Sequence, residues 1–132
     1  YAAAAYLKRH GMPRELTDLA EHRLIVYGDG ATQPFPNANW LLELVAGLER
    51  PASATFNINN YYGIYRAVES GIGIAALPDF YARDDFNVVR ILENIEGPPV
   101  QTYFVYPEEL RKSKKVTVLR DFLIDEVVRA AL

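Results

Sequence analysis

Few side chains in this sequence could carry covalent or metal chemistry. It has two histidines, His10 and His22, and no cysteine, which excludes disulfides, thiolate zinc sites and cysteine nucleophiles. Neither histidine stands in a metal-ligand spacing such as H-E-x-x-H. His22 falls where a helix pattern gives way to a strand pattern, the place of a capping or packing residue. No serine sits in a G-x-S-x-G elbow. The carboxylate pairs Glu15/Asp18 and Asp84/Asp85 could share acid–base work, but helix-start electrostatics explain the first and a solvated turn the second. The stretch "SGIGIAALP", residues 70–78, invites comparison with a phosphate loop. Such a loop follows a strand and opens a helix, so that free N–H groups face the anion. Here a helix precedes the glycines, a strand pattern follows them, and there is no Walker lysine. Gly71 therefore reads as a left-handed helix cap, and Gly73 as a point of close backbone approach. The expectation is a protein that is not an enzyme and needs no cofactor.

One cluster survives this pruning. "QPFPNANW" and "NINNYYGIY" each place amide and aromatic side chains between the end of a strand and the start of a helix. In open α/β sheets, ligands bind beyond the carboxyl ends of strands. Amides and aromatics there can hold a small organic molecule without transforming it. On this argument Asn59, Asn60 and Tyr61 are candidate ligand-binding residues.

The elements that would position them alternate. Residues 2–10 suit a short helix ended by Gly11, and "ELTDLAEH" about two further helical turns. "RLIVY" is an apolar strand, followed by the twelve-residue loop "GDGATQPFPNAN". Asn39 is placed to cap a helix running from Trp40 to about Glu49, with Leu41, Leu44, Val45 and Leu48 at helical spacing. "SATFNI" is a strand, and Asn59 or Asn60 can cap a helix whose buried stripe is Tyr61, Ile64, Tyr65 and Val68. Strands are expected at 72–77, 87–92 and 101–106, a helical turn after Pro78, and a last helix capped by Ser113. Strands separated by helices imply an α/β fold with a largely parallel sheet. Pro98 and Pro99 mark the best boundary.

Composition agrees with a globular chain: 132 residues, half hydrophobic, 12% aromatic and 23% charged. A formal net charge of −3 disfavours direct binding to a phosphate backbone. The basic run Arg111, Lys112, Lys114 and Lys115 lacks aromatic interleaving and reads as a solvated helix entrance. "YAAAAYL" is too short to span a bilayer and lacks the basic leader of a signal peptide. No membrane partner is expected, and a cytoplasmic location is.

Three ordered motifs resemble a known family. "AYLKRHGMPRELTDLAEHRLI" resembles a segment of LysR-type transcriptional regulators, with Tyr6, Leu7, Gly11, Pro13, Asp18, Leu19 and His22 falling in place. "NINNYYGIYRAVESGIGIAALPDF" is similar to the family's helix ending in G-x-G-I-a-x-L-P, and "YFVYPEELRKSKKVTVLRDFL" to its closing strand and helix. The resemblance implies an effector-binding domain of the type 2 periplasmic-binding-protein kind, two α/β lobes with a small-molecule effector between them. It implies residues 1–98 as the second lobe and 99–132 as the return crossing strand and a helix of the first lobe. It also implies that the first half of lobe one and the DNA-binding helix-turn-helix lie outside this chain, so that DNA is a partner only through the latter. By the same likeness Tyr27, Phe35, Asn37 and Asn39 line the second-lobe side of the effector cleft. The apolar strand 102–106 and the last helix are expected to pair with a second copy, giving a dimer. A solute-binding protein of a transporter shares the fold and is the rival reading; the absence of a signal peptide and the "YL…DL…H" segment argue against it.

Overall fold

The structure is a computed structural model and describes residues 1–28, 37–50, 52, 54–82 and 85–131. It divides into two compact units, Tyr1–Val100 and Gln101–Leu132.

The first unit is built on a short mixed sheet. β2 (Leu24–Tyr27) and β3 (Ala54–Ile58) pair in parallel, with a register shift between Leu24 and Ile25. β1 (Ala2–Ala3) pairs antiparallel with β4 (Val88–Val89). Ile74 joins the pairs, bridging antiparallel to Ala2 and parallel to Leu24. The order across the sheet is thus β3, β2, the Ile74 segment, β1, β4, with β1 alone reversed.

Burial explains why β2 is apolar throughout. All four of its residues are buried, as expected for a parallel strand covered on both faces. Leu24 and Val26 enter a core with Tyr6, Leu7, Leu19, Val45 and Ile74. Ile25 and Tyr27 point the other way, into a core with Ile64, Ala67, Val68, Ala75 and Leu77. Period-two alternation therefore serves two cores at once. α1 (Ala4–His10) and α2 (Trp40–Ala46) supply residues to the first core, and α3 (Tyr61–Glu69) to the second.

The local punctuation is as the sequence suggests. Gly11, at φ 89°, ends α1 by donating to the Leu7 carbonyl at 2.9 Å. α3 ends in a Schellman motif: Ile72 N–H reaches Ala67 O at 3.1 Å and Gly71 N–H reaches Val68 O at 2.8 Å, with Gly71 at φ 72°. A Cβ on Gly73 would overlap the Arg23 carbonyl oxygen, so the close approach is real and lets Ile74 bond both ways with β2. Ile74 N–H donates to Arg23 O at 2.8 Å, and Ile25 N–H to Ile74 O at 2.9 Å.

Three expectations are corrected in this unit. The "ELTDLAEH" segment is a 3-10 helix, Leu16–Glu21, rather than α-helical. Its start is tied by the Asp18 carboxylate, which accepts from the backbone N–H groups of Arg14 (2.8 Å) and Glu15 (3.0 Å), a use of the Glu15/Asp18 pair that is structural. The expected strand 72–77 keeps ladder contacts only around Ile74 and Ala75, because its neighbour β1 is two residues long and Pro78 lacks a donor. The strand expected at 87–92 shrinks to Val88–Val89. Beyond it Leu92 takes φ 52° and its carbonyl accepts from Ile95 N–H at 2.8 Å, turning the chain.

In the second unit, residues 101–106 form no strand; a strand exists only where a neighbour takes its hydrogen bonds. A 3-10 turn, Glu108–Leu110, leads to α4 (Lys114–Ala131). Ser113 stands before α4 and its carbonyl accepts both the N–H and the hydroxyl of Thr117, at 3.0 and 3.2 Å. Val118, Phe122 and Val127 on α4 are more than half exposed. Among the described residues no helix is long and apolar enough to cross a membrane.

Candidate functional site

β2 and β3 both end at the same edge of the first unit, where Gly28 N–H continues their pairing by donating to Ile58 O at 3.0 Å. Two corners leave that edge, one entering α2 and one entering α3.

At the first corner Asn39 precedes α2 but does not cap it with its side chain. Its amide instead forms a two-way pair with the backbone of Tyr27, the last residue of β2. Tyr27 N–H donates to Asn39 Oδ1 at 2.8 Å, and Asn39 Nδ2 donates to Tyr27 O at 2.9 Å. A primary amide has the donor–acceptor pattern of a peptide group, so Asn39 completes the strand edge as one more peptide would. The first N–H of α2 is met otherwise, Trp40 N donating to Asn37 O at 3.0 Å. Asn37 makes this turn with φ 61°, a region asparagine tolerates better than most residues, and its side chain is exposed.

At the second corner Asn60 has extended backbone and caps α3, its Oδ1 accepting from Gly63 N–H at 2.6 Å. Its Nδ2 lies 3.4 Å from Asn59 Oδ1. Tyr61 opens α3 and ties the corners together. Its hydroxyl donates to the Ala38 carbonyl at 3.1 Å, and its ring centroid is 5.6 Å from that of Tyr27. Tyr81 stacks on Tyr61 at 6.4 Å and on Tyr65 at 6.2 Å, and Tyr65 donates to Asp85 Oδ2 at 2.9 Å. Burial, reinforced by Tyr27 and Tyr81, pushes the Tyr61 phenol up to about 12. It is a neutral donor at any ordinary pH.

Tyr27, Ala38, Asn39 and Tyr61 thus converge on one pocket, closed beneath by Leu24, Ile25, Val26, Leu41, Leu42, Ile64 and Ala76. Its cavity, about 10 Å³, has room for about one water. Of the residues expected from sequence, the structure brings Tyr27, Asn39 and Tyr61 together and sets Asn37 beside them. Asn59 and Asn60 occupy the neighbouring corner, and Phe35 lies outside the described residues. Sequence reasoning missed the Ala38 carbonyl, which carries no side-chain signal, and Tyr81. The latter was signalled only by the chain's tyrosine excess, nine against six phenylalanines. Among the described residues no group of three or more His, Asp or Glu is placed to hold a metal ion.

This architecture has recognisable relatives. The regulatory domain of CrgA, a LysR-type transcriptional regulator from Neisseria meningitidis, superposes with a TM-score of 0.67 at 22% identity, over 95% of this chain and 61% of that one. A structure of CrgA itself superposes with a TM-score of 0.68 at 24% identity, over 95% of this chain and 42% of CrgA. At these identities the likeness is one of fold. No curated protein sequence matches the chain. The family model of the LysR substrate binding domain matches residues 1–128. The chain therefore belongs to the LysR substrate-binding domain family, an effector-binding domain with the type 2 periplasmic-binding-protein-like α/β fold.

Proposed function

We propose that this chain is the ligand-sensing part of a LysR-type transcriptional regulator, and that it takes a small polar or aromatic effector against the edge formed by Tyr27, Asn37, Asn39, Asn59, Asn60 and Tyr61. Residues 1–98 are then the second lobe, and 99–132 the return crossing and a helix of the first. The observation that carries the reading is the corner where Tyr27, Asn39 and Tyr61 meet beyond the carboxyl end of β2, the place where open α/β sheets take ligands. With room for about one water, the described pocket is far below the several hundred Å³ of a typical ligand site. The effector therefore rests on this edge and needs a facing wall to enclose it, which fits a chain spanning 61% of a related regulatory domain. The role is sensing rather than catalysis. Binding shifts the balance between arrangements of a cytoplasmic, oligomeric regulator, and DNA is contacted by its helix-turn-helix. Exposed Val118, Phe122 and Val127 on α4 support packing against a further chain, a second copy in a dimer.

A thermal-shift screen against small aromatic and polar organic compounds tests this. A ligand at one hundred times its Kd stabilises the folded chain by about 2.7 kcal/mol, a clear rise in Tm. The rise should saturate and should shrink in Asn37→Gly, which keeps the turn and removes the amide. A saturable rise unchanged in Asn37→Gly and in Tyr61→Phe would move the site elsewhere.

A further inference from the structure

Both histidines of the chain pack on one buried tyrosine. Tyr6, on α1, is 1% exposed. His10 stacks on its ring with centroids 4.4 Å apart, and the His22 ring lies tilted at 5.8 Å. The Tyr6 hydroxyl accepts the backbone N–H of Arg23 at 3.0 Å and stands 3.3 Å from His22 Nδ1. A phenol has one proton to donate. With its oxygen already accepting from Arg23, that proton has His22 Nδ1 as its acceptor among the described residues. A chain running from Arg23 N–H to Tyr6 O–H to His22 Nδ1 gives each of these groups a partner. That direction requires Nδ1 bare and the imidazole proton on Nε2.

We propose that Tyr6 and His22 form a proton-sensitive latch between α1 and the entry of β2, closed while His22 is neutral and released when His22 takes up a second proton. An imidazolium would turn Nδ1 into a donor facing an oxygen that already accepts one hydrogen, and would strand the hydroxyl proton in a buried place. His10, on the same tyrosine, adds like charge once it is protonated. The other charged groups facing His22 are Asp18 and Glu21 of the 3-10 helix, which favour the cation. Both already have partners: Asp18 holds two backbone N–H groups, and Glu21 pairs with Arg50 at 2.5 Å. Burial first, then His10, holds His22 below the usual imidazole range. The latch matters to the sheet because the Arg23 carbonyl, at the entry of β2, accepts from Ile74 N–H, one of the two bonds that join this edge to the Ile74 segment.

The sign follows from linkage. Between pH 7.5 and 5.5 the unfolded chain protonates its histidine while the latched one resists, so stability falls as pH falls. For a reference value of about 6.5, the unfolding equilibrium constant should rise by up to about 10-fold over this interval through His22 alone. Denaturant unfolding of the wild type and of His22→Asn at both pH values reads it, since the asparagine oxygen can accept from Tyr6 without titrating. The expected result is a rise several-fold larger in the wild type. Equal rises in the two proteins would overturn the latch. A rise abolished by His10→Gln but kept in His22→Asn would overturn it too, because repulsion centred on His10 would then be the cause. If His22→Asn does not fold, the NMR titration of His22 decides. It should lie below about 6.5 in the wild type and move up in Tyr6→Phe; a wild-type value at or above 6.5 would refute the proposal. None of these outcomes depends on effector binding.

Discussion

The two corners of the candidate site look alike in sequence and use their asparagines in opposite ways. "NANW" and "INNYY" both set an amide directly before a helix. Asn60 takes extended backbone, φ −155° and ψ 147°, and folds its oxygen onto the first turn of α3. Asn39, at φ −104° and ψ 27°, is already turned towards helical geometry, and its amide swings back to Tyr27. One amide closes a helix and the other closes a strand. The backbone differs with it: α2 is entered through a tight turn in which Asn37 O takes the first helical N–H. The amide of Asn39 serves the sheet edge instead.

The strongest way to break this comparison is Asn39→Ala. At a true cap the loss would be about 1 kcal/mol. Here two hydrogen bonds vanish and both polar groups of a buried strand end are left to find water. The expected loss is about 2–4 kcal/mol, read as a lowered midpoint in denaturant unfolding. Asn39→Asp refines the test. The carboxylate can still accept from Tyr27 N–H but faces the Tyr27 carbonyl with a second acceptor. The variant should recover stability as pH falls and the group becomes a donor. A loss near 1 kcal/mol in Asn39→Ala, with no such recovery in Asn39→Asp, would return Asn39 to an ordinary cap.

What could be read from the sequence divides along the same line. Asn60 as a cap, Gly11 and Gly71 as helix ends and Gly73 as a close approach all follow from contacts a few residues apart or from the plain absence of a side chain. The continuous apolar run of residues 24–27 announces a strand, whereas its division between two cores shows only in the structure. The pairing of Asn39 with Tyr27 was not legible, since it closes a twelve-residue loop and an amide before a helix is chemically the same whichever way it turns. Strand lengths failed for a related reason. Residues 72–77 and 101–106 are apolar enough for strands, but a ladder extends only as far as its neighbours do. Tyr81 escaped notice because its packing on Tyr61 and Tyr65 depends on how the chain returns after Pro78.

The second corner gives a smaller effect. Asn60→Ala should cost about 1 kcal/mol and Asn60→Gly only a few tenths, measured by the same unfolding midpoints. Gly63→Ala sharpens the point. Alanine is the better helix former by about 1 kcal/mol, yet a Cβ at position 63 would lie 2.8 Å from Ile58 Cγ2 and 3.1 Å from the capping Oδ1 of Asn60. The substitution should therefore destabilise, and should do so less when combined with Asn60→Gly, since part of the crowding is the cap itself. A stabilising Gly63→Ala would show that the cap is not seated as described.

The smallest effect at neutral pH belongs to Tyr61, the side chain that joins the corners. Tyr61→Phe removes the hydrogen bond to Ala38 O and should cost about 0.5–1 kcal/mol. Its signature lies in alkali. Burial raises the Tyr61 phenol to about 12, whereas the unfolded chain ionises near its ordinary value of 10.0. From pH 10 to 12 the unfolded state releases a proton that the folded state retains, so stability falls as pH rises across that window. Tyrosinate absorbance should show one late-ionising residue fewer in Tyr61→Phe than in the folded wild type, where Tyr65 is also raised by its bond to Asp85, and the alkaline loss of stability should be shallower in the variant. If the Tyr61 phenol ionised with the exposed tyrosines, the hydroxyl would not be held at Ala38. The hydrogen bond that ties α3 to the Ala38 carbonyl would then be absent.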